Sequence, residues 1–364
     1  MIGALDRSRG APLLSSPRQI LASHDPQPAS RRFIDLGITQ VGTRLLLGIV
    51  LVAASSSVAM AQEQATFELI FENDALIGAV PGIPDSDREY TSGLTFAVER
   101  GGAPLWGVLT PSIPACGERY SGFGSCARTR FETGHKMFTP DWRKPWVTQP
   151  QRPFAAWLSG SITALILSPT VASALRVEAG FTGPPAMGEH VQNFIHKLLN
   201  SSEADGWDRQ LEFEPALLIE YREDYLLDVD LPGGKRMDLI PMWRVSLGNL
   251  RTGAQVGLRA RAGGDMPHPW LPSEPGPDIS VYGFVAVRET WTRRDLFLDG
   301  VTLEEIDPIE KRPFRAEAEL GGTVVRGNLR LTSSLILEER RYETQPTPHR
   351  YVRVVLSYTP QTTR

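Results

Sequence analysis

Five polar residues of this chain carry side chains that could act together in one reaction. Asn73 and Asp74 close the stretch TFELIFEND, and Thr91 is the second residue of YTSGLTFAVE. Lys136 lies in GHKMFTP and His196 in VQNFIHKL. Together they supply an amide, a carboxylate, a hydroxyl, an ammonium and an imidazole, which are groups that bind cations, move protons and stabilise anions. These five side chains can act together only if the secondary-structure elements that carry them bring them to one place.

The common hydrolase signatures are absent from the sequence. There is no G-x-S-x-G, no H-E-x-x-H and no closely spaced cysteine pair for zinc. The six histidines are His24, His135, His190, His196, His268 and His349. We interpret His135 and His190 as structural, and we place His268 and His349 in loops. His196 is therefore the histidine of greatest interest.

One segment has helical spacing. In GEHVQNFIHKLLNSSEADGWDRQL, residues 188–211, the apolar residues Val191, Ile195 and Leu198 recur at i, i+4 and i+7. This spacing predicts one apolar face of a short helix, with His196 in its middle.

Most of the remaining sequence after residue 60 alternates polar and apolar residues, which predicts β-strands. In YTSGLTFAVE, Tyr90, Leu94 and Phe96 share one predicted face, opposite Thr91. We predict twelve strands, at 66–74, 90–100, 131–139, 153–167, 173–182, 211–221, 236–248, 254–263, 279–293, 313–325, 328–340 and 349–358.

An even number of long strands behind a signal peptide is typical of outer-membrane barrels. We therefore predict an all-β fold, a transmembrane antiparallel β-barrel of about twelve strands with a short helix in an extracellular loop. A secreted β-sandwich would alternate as well. In the predicted strand 313–325, Arg315, Glu317 and Glu319 alternate with apolar residues and so share one face. A charged face on so long a strand favours a barrel with a polar lumen.

We predict that the chain divides into a leader, 1–61, and an outer-membrane barrel, 62–364, which carries the five candidate catalytic side chains. Residues 45–54 form the apolar core of a secretory signal peptide, and Ala61 completes a small-residue cleavage site. No methionine follows Met1 before position 60, so we expect translation to begin later than Met1.

Cys116 and Cys126 are the two cysteines of the chain. In a secreted protein, two cysteines ten residues apart in a glycine-rich loop predict a disulfide, with two free thiols as the alternative. The nearest histidine, His135, lies nine residues beyond on a predicted strand. We therefore expect the pair to stabilise the loop and not to form a catalytic dyad.

The predicted strands place the polar residues near one rim. The connection 75–89 is one of the long loops, which are extracellular in such barrels, and Asp74 and Thr91 flank it. The helix leaves another long loop, between the fifth and sixth strands. We expect the five side chains to converge there, although each one alone would equally suit a polar rim.

Five motifs then follow one another in the order of a known family. FEND…DREYTSGL, KMFTPD, QRPFAAWL, VQNFIHKL and GWDRQL, from residue 71 to about 221, resemble the LpxR family of outer-membrane lipid A 3'-O-deacylases. The resemblance implies a twelve-stranded barrel in the Gram-negative outer membrane. It also implies calcium-dependent removal of the 3'-linked acyloxyacyl group from lipid A, the lipopolysaccharide anchor in the outer leaflet. The active site would lie near the extracellular face, between the barrel wall and a loop helix.

The same resemblance implies roles for the oxygen donors. Asp74 is expected to be a ligand of Ca²⁺. Asn73 and Thr91 are expected to contribute a ligand oxygen or to hold the substrate. Oxygen atoms are the ligands that this hard cation prefers.

Under the resemblance, His196 is the expected general base, because an imidazole pKa of about 6.5 suits proton transfer near neutral pH. Lys136 is expected to stabilise the oxyanion or to contact a lipid A phosphate. Glu203 is expected to orient the imidazole, with Asp205 as the alternative.

The chain departs from the family pattern in one motif. QRPFAAW stands where DRPYAGW is expected, which places Gln151, Phe154 and Ala156 at the changed positions. We expect activity to survive and the acyl preference to differ. A porin-like or surface-interaction barrel is the non-enzymatic alternative. The net charge of −4 offers no basic field for nucleic acid, and a monomer is expected.

Overall fold

The computed structural model describes residues 65–79, 88–102, 113–116, 124–141, 150–198, 202–231, 235–271, 279–302 and 309–360. The predicted leader, 1–61, lies outside them and stays a prediction. Among the described residues, no helix is both long and apolar enough to span a bilayer.

The fold is a closed antiparallel β-barrel of twelve strands, as the alternation predicts. Neighbouring strands pair in chain order, and β1 pairs with β13 to close one seam. β6 and β7 both pair with β8, so they form one wall strand interrupted at Leu226. The strands are β1 Thr66–Asn73, β2 Glu89–Gly101, β3 Cys126–Thr139, β4 Ala155–Leu167, β5 Val171–Phe181, β6 Pro215–Tyr225, β7 Leu227–Leu231, β8 Lys235–Gly248, β9 Arg251–Gly264, β10 Ile279–Asp295, β11 Phe314–Arg326, β12 Leu329–Glu338 and β13 His349–Tyr358.

Two short helices lie in the connections. Helix α1, Gly188–Leu198, lies between β5 and β6, and helix α2, Leu296–Asp299, follows β10. The barrel end that carries these connections is called the helix end. The opposite end, where β1 begins and β13 finishes, is called the termini end.

The two strand faces differ in polarity, as the sequence pattern predicts. On β11, Leu320 is 61% exposed on the outer surface, whereas Glu319 is 4% exposed in the lumen. Glu319 Oε2 lies 2.5 Å from Arg288 and 3.2 Å from Arg259. Its Oε1 accepts a hydrogen bond from Ser334. The lumen is thus crossed by ion pairs between strands.

A β-bulge interrupts β2 beside the helix end. The pairing of β2 with β3 shifts register between Tyr90 and Ser92, so Thr91 is the extra residue. An extra residue reverses the faces on its two sides. The prediction that Tyr90 shares a face with Leu94 is therefore wrong: Leu94 is 51% exposed outside, while Tyr90 is buried in the lumen.

An apolar plug closes the lumen at the helix end. Phe297 of α2 stacks on Phe138 of β3 with ring centroids 4.3 Å apart, and Phe138 packs on Tyr90. Trp157 and Ile336, both almost fully buried, belong to the same cluster. Toward the termini end, the lumen instead holds a cavity of about 1700 Å³ with an arginine-rich lining.

The predicted disulfide is present between Cys116 and Cys126. Cys126 is the first residue of β3, five positions earlier than the strand predicted from residue 131. The prediction missed these five residues because Arg128 and Arg130 make them read as polar loop, whereas both arginines face the lumen and pair with Glu99. The disulfide therefore lies at the termini end.

The charge of Glu319 should be needed for barrel stability. Glu319→Gln keeps the shape but leaves Arg259, Arg288 and Arg353 without their shared counter-ion. We expect a loss of about 3–5 kcal/mol, as when one partner of a buried ion pair is removed. The measurement is the temperature at which the folded band converts to the unfolded band on a gel. Glu343→Gln, in an exposed pair with Arg312, is the control. Equal temperatures for the two variants would contradict this account of the lumen.

Candidate functional site

The end of β1 and the start of β2 form a compact polar turn. Asn73 Oδ1 accepts a hydrogen bond from the backbone of Leu76 and so caps the 3₁₀ turn that follows. Asp74 is fully buried, and its Oδ2 accepts from the backbone N–H of Arg88 at 2.8 Å. The backbone N–H of Asp74 donates to the carbonyl of Thr91 at 3.2 Å. The structure thus brings Asn73, Asp74 and Thr91 together.

The bulge determines where Thr91 points. Thr91 Oγ1 lies 2.7 Å from Thr139 Oγ1 at the end of β3, and both threonines are buried. Side chains alternate along β3, and Phe138 points into the lumen plug. Its two neighbours, Met137 and Thr139, therefore point outward. Thr91 therefore lies on the outer side of the wall, next to the region that α1 covers.

Helix α1 packs against the outer surface of the barrel wall. Trp207, which follows the helix, packs in one buried cluster with Met137 of β3 and Ala156 of β4. A Cβ atom at Gly188 would lie 2.3 Å from the Trp207 ring and 2.7 Å from Ala156 Cβ, so the first helical residue must be glycine. His135 Nε2 donates to the carbonyl of Ala186, just before the helix, at 2.7 Å.

His196 lies on α1 with only 8% of its surface exposed. Its Nδ1 lies 2.6 Å from the carbonyl oxygen of Ser202. Because a carbonyl can only accept, Nδ1 carries the proton in neutral imidazole and Nε2 has the lone pair. Nε2 is therefore the atom suited to take up a proton.

Glu203 does not occupy the orienting position that was expected. Its carboxylate pairs with Lys197 Nζ at 3.1 Å, and its side chain is 58% exposed. Asp205 is also exposed. The backbone carbonyl of Ser202, not an acidic side chain, accepts the Nδ1 hydrogen bond of His196.

Lys136 differs from expectation as well. Lys136 lies two residues before Phe138 on β3, so both side chains point into the lumen. Its charge acts on Glu72 and Glu178, which are buried there. The wall of β3 separates this position from the surface that carries α1. The alternation of β3 places Lys136 on the opposite face from His135 and Met137, so the structure does not bring it to His196.

The oxygen donors near Asp74 suit a hard divalent cation. The Asp74 carboxylate, the Asn73 amide and the Thr91 hydroxyl offer oxygen and no sulfur or imidazole, which is the donor chemistry that calcium prefers. Among the described residues, no three His, Cys, Asp or Glu side chains form a metal-binding group. An ion here would depend on one carboxylate and neutral oxygens, so its binding is expected to be weak.

Sequence reasoning missed Gln192. It lies one helical turn before His196, is 2% exposed, and its Oε1 accepts from Trp207 Nε1 at 2.8 Å. The i, i+4 spacing from His196 was the available signal. Gln192 ties the helix to the segment that returns over it.

Two of the three departures from the family motif lie beneath this helix and the segment that follows it. Phe154 packs on Trp207 with ring centroids 5.0 Å apart, and Ala156 lies under Gly188. Gln151 Oε1 accepts from the backbone of Asp141 at 2.7 Å. Phe154 and Ala156 thus contribute packing contacts, and Gln151 contributes a contact within the connection between β3 and β4.

Comparison with known proteins decides the family. A model described as outer membrane protein LpxR matches residues 45–359. The chain belongs to the LpxR family. It is an outer-membrane β-barrel. No curated protein sequence matches it.

One solved structure supports the barrel fold of this LpxR family member, and a second shows a weaker likeness. LpxR from Salmonella typhimurium is 18% identical with a TM-score of 0.65, and the match covers 80% of this chain and 99% of that one. The β domain of the Bordetella autotransporter BrkA is 11% identical with a TM-score of 0.41, over 81% and 98% of the two chains.

The close approach at Gly188 predicts a selective effect on the helix. Gly188→Ala should push α1 away from Trp207 and Ala156 while leaving the barrel closed. Limited trypsin digestion of the folded protein should then cut faster after the exposed Lys197, by about tenfold if one tight contact is lost. Gly264→Ala is the control, because no atom lies within 4 Å of its added Cβ. Equal digestion rates in the two variants would show that α1 is not seated as described.

Proposed function

We propose that this LpxR family member hydrolyses the 3'-acyloxyacyl ester of lipid A in a calcium-dependent reaction and so remodels lipopolysaccharide. The coarser statement, an outer-membrane enzyme that modifies lipid A, follows from family membership. The observation that carries the finer proposal is His196, buried on a helix that lies against the outer wall formed by β3 and β4. A base in that place faces the membrane, where a lipid ester resides.

The chain's own residues account for the proton transfer. His196 Nε2 would take a proton from water as the water oxygen attacks the ester carbonyl carbon. The carbonyl of Ser202, which accepts the Nδ1 hydrogen bond, would stabilise the imidazolium that forms. Collapse of the intermediate breaks the ester C–O bond, and the proton passes to the lipid A hydroxyl. The products are a released acyloxyacyl acid and a free 3'-hydroxyl.

The metal is part of the proposal. Asp74, Asn73 and Thr91 would hold the calcium ion, which supplies a Lewis acid for the ester carbonyl when bound. Asp74 would contribute the negative charge, and Asn73 and Thr91 would contribute neutral oxygens. The hydrogen bonds from Arg88 and to Thr91 hold Asp74 in place before any ion arrives.

The outer surface near α1 suits acyl chains. Phe194 on the helix is 63% exposed, and Leu94 and Phe96 on β2 are 51% and 46% exposed. Leu94 pairs in register with His135, which anchors the start of the helix segment. A substrate with several acyl chains would therefore meet apolar side chains on its way to His196.

The alternatives are less well supported. A porin requires a continuous lumen, whereas the plug of Phe138, Phe297 and Trp157 lies across the helix end. A disulfide-bonded loop could serve a surface-interaction role, but Cys116 and Cys126 lie at the termini end. Because the longer loops of such barrels are extracellular and the long connection between β5 and β6 lies at the helix end, we propose that the helix end is extracellular. We also propose that the protein acts as a monomer.

Lipid A mass spectrometry tests the function. The chain from Gln62 would be expressed behind an export signal in a Gram-negative host, with calcium or with a chelator. We expect calcium-dependent loss of an acyloxyacyl unit, reduced at least about a hundredfold in His196→Ala, since a general base contributes 10²–10⁴. His190→Ala, an exposed histidine of the same helix, is the matched control. Unchanged lipid A from a folded barrel would refute the proposal.

A further inference from the structure

The segment from Arg88 to Thr91 is held by contacts to several distant parts of the chain. Arg88 pairs with Asp141 at 3.1 Å. The hydroxyl of Tyr90 donates to Glu72, and the carbonyl of Tyr90 accepts from His349 Nε2 at 3.2 Å. Arg88 and Tyr90, on either side of Glu89, are thus held from β1, β13 and the connection after β3.

Glu89 is the unusual member of this segment. Its φ is +64°, in the left-handed region that non-glycine residues seldom adopt. Such a conformation persists only when the surroundings impose it. Glu89 is 2% exposed, and its Oε1 accepts a hydrogen bond from the Tyr342 hydroxyl at 2.7 Å.

A buried guanidinium completes the anchor of Glu89. Arg152 Nη1 lies 3.6 Å from Glu89 Oε2, and the Arg152 side chain is fully buried. The guanidinium also lies 4.5 Å above the ring of Phe138 in the lumen plug. The Glu89 carboxylate is therefore fixed by the β12–β13 connection through Tyr342 and by the approach to β4 through Arg152.

The backbone turn at Glu89 acts on Asp74 from both sides. Just before it, the N–H of Arg88 donates to Asp74 Oδ2 at 2.8 Å. Two residues after it, the carbonyl of Thr91 accepts from the N–H of Asp74 at 3.2 Å. The two contacts flank Glu89, the residue with the positive φ, and the bulge at Thr91 follows directly.

We propose that Glu89 is a positioning residue for the cation site. Its buried carboxylate, held by Tyr342 and Arg152, keeps the backbone in the left-handed conformation that aligns Asp74 with Thr91. This proposal rests on the proposed function, since it assigns Asp74 and Thr91 to the ion. We do not assign Glu89 itself to the ion or the substrate, because its carboxylate is held by Tyr342 and Arg152.

A pair of substitutions separates backbone positioning from simple burial of a charge. Glu89→Ala and Glu89→Gly both remove the carboxylate and leave Arg152 without its partner. Only glycine adopts φ of +64° without strain. If Glu89 acts by holding the backbone, Glu89→Gly should keep more cation affinity than Glu89→Ala. If it only neutralises Arg152, the two variants should behave alike.

The experiment measures cation affinity and activity on the purified, folded full chain. Terbium luminescence with calcium competition gives affinity, and lipid A deacylation against calcium concentration gives the half-saturating concentration. We expect Glu89→Ala to weaken both by about tenfold, the equivalent of forcing one alanine into the left-handed region. Glu89→Gly should recover most of this loss. Tyr342→Phe, which keeps every charge, should weaken cation affinity in the same direction by a smaller factor. Glu343→Ala, at the exposed pair with Arg312, should match the wild type.

The outcomes separate the two proposals. Wild-type activity with equal cation affinity in wild type, Glu89→Ala and Glu89→Gly would overturn the positioning role and leave the proposed function standing. Equal losses in the alanine and glycine variants would also overturn it, in favour of charge burial alone. A folded wild type that neither binds the cation nor deacylates lipid A would refute the proposed function and this proposal with it.

Discussion

Backbone hydrogen bonding in hydrocarbon is the constraint on which this structure depends. A strand in a bilayer cannot leave N–H and C=O groups unpaired, so the sheet must close on itself. Pairing of β1 with β13 and of β6 with β8 achieves that closure. Regular pairing in turn dictates that side chains alternate, with apolar groups toward lipid and charges toward the lumen.

The candidate site arises where this regularity is interrupted. The bulge at Thr91 and the left-handed residue Glu89 lie at the rim, where the ladder no longer crosses hydrocarbon. There the backbone can turn a hydroxyl outward and receive the Asp74 side chain. Bulges next to active sites re-aim side chains in this way. The barrel wall requires regular strand pairing, but its rim allows the irregular backbone on which the candidate site is built.

The position of α1 outside the barrel separates the candidate site from the lumen. The plug around Phe138 and Phe297 closes the lumen at the helix end, while α1 covers the outer face of β3 and β4. A membrane lipid can approach α1 laterally and need not enter the barrel. The short helix with its histidine is therefore consistent with a substrate that stays in the membrane.

Period-two alternation was sufficient to predict the twelve strands, because lipid and lumen impose opposite polarity on successive residues. It failed at Tyr90, because a bulge reverses parity without any mark in the composition. Motifs located Asp74 and His196 but could not show which face of β3 carries Lys136. The partner of His196 was equally hidden, since a backbone carbonyl such as that of Ser202 has no sequence signature.

The central claim is that the substrate reaches His196 from the membrane side, and photo-crosslinking tests it most directly. A benzophenone amino acid would replace Phe194, exposed on α1, or Phe284, buried in the lumen, in folded protein within lipopolysaccharide-containing membranes. The account predicts crosslinks from position 194 to lipid A acyl chains and none from position 284. Crosslinking from position 284 without crosslinking from position 194 would contradict it, because the lipid would then enter through the lumen.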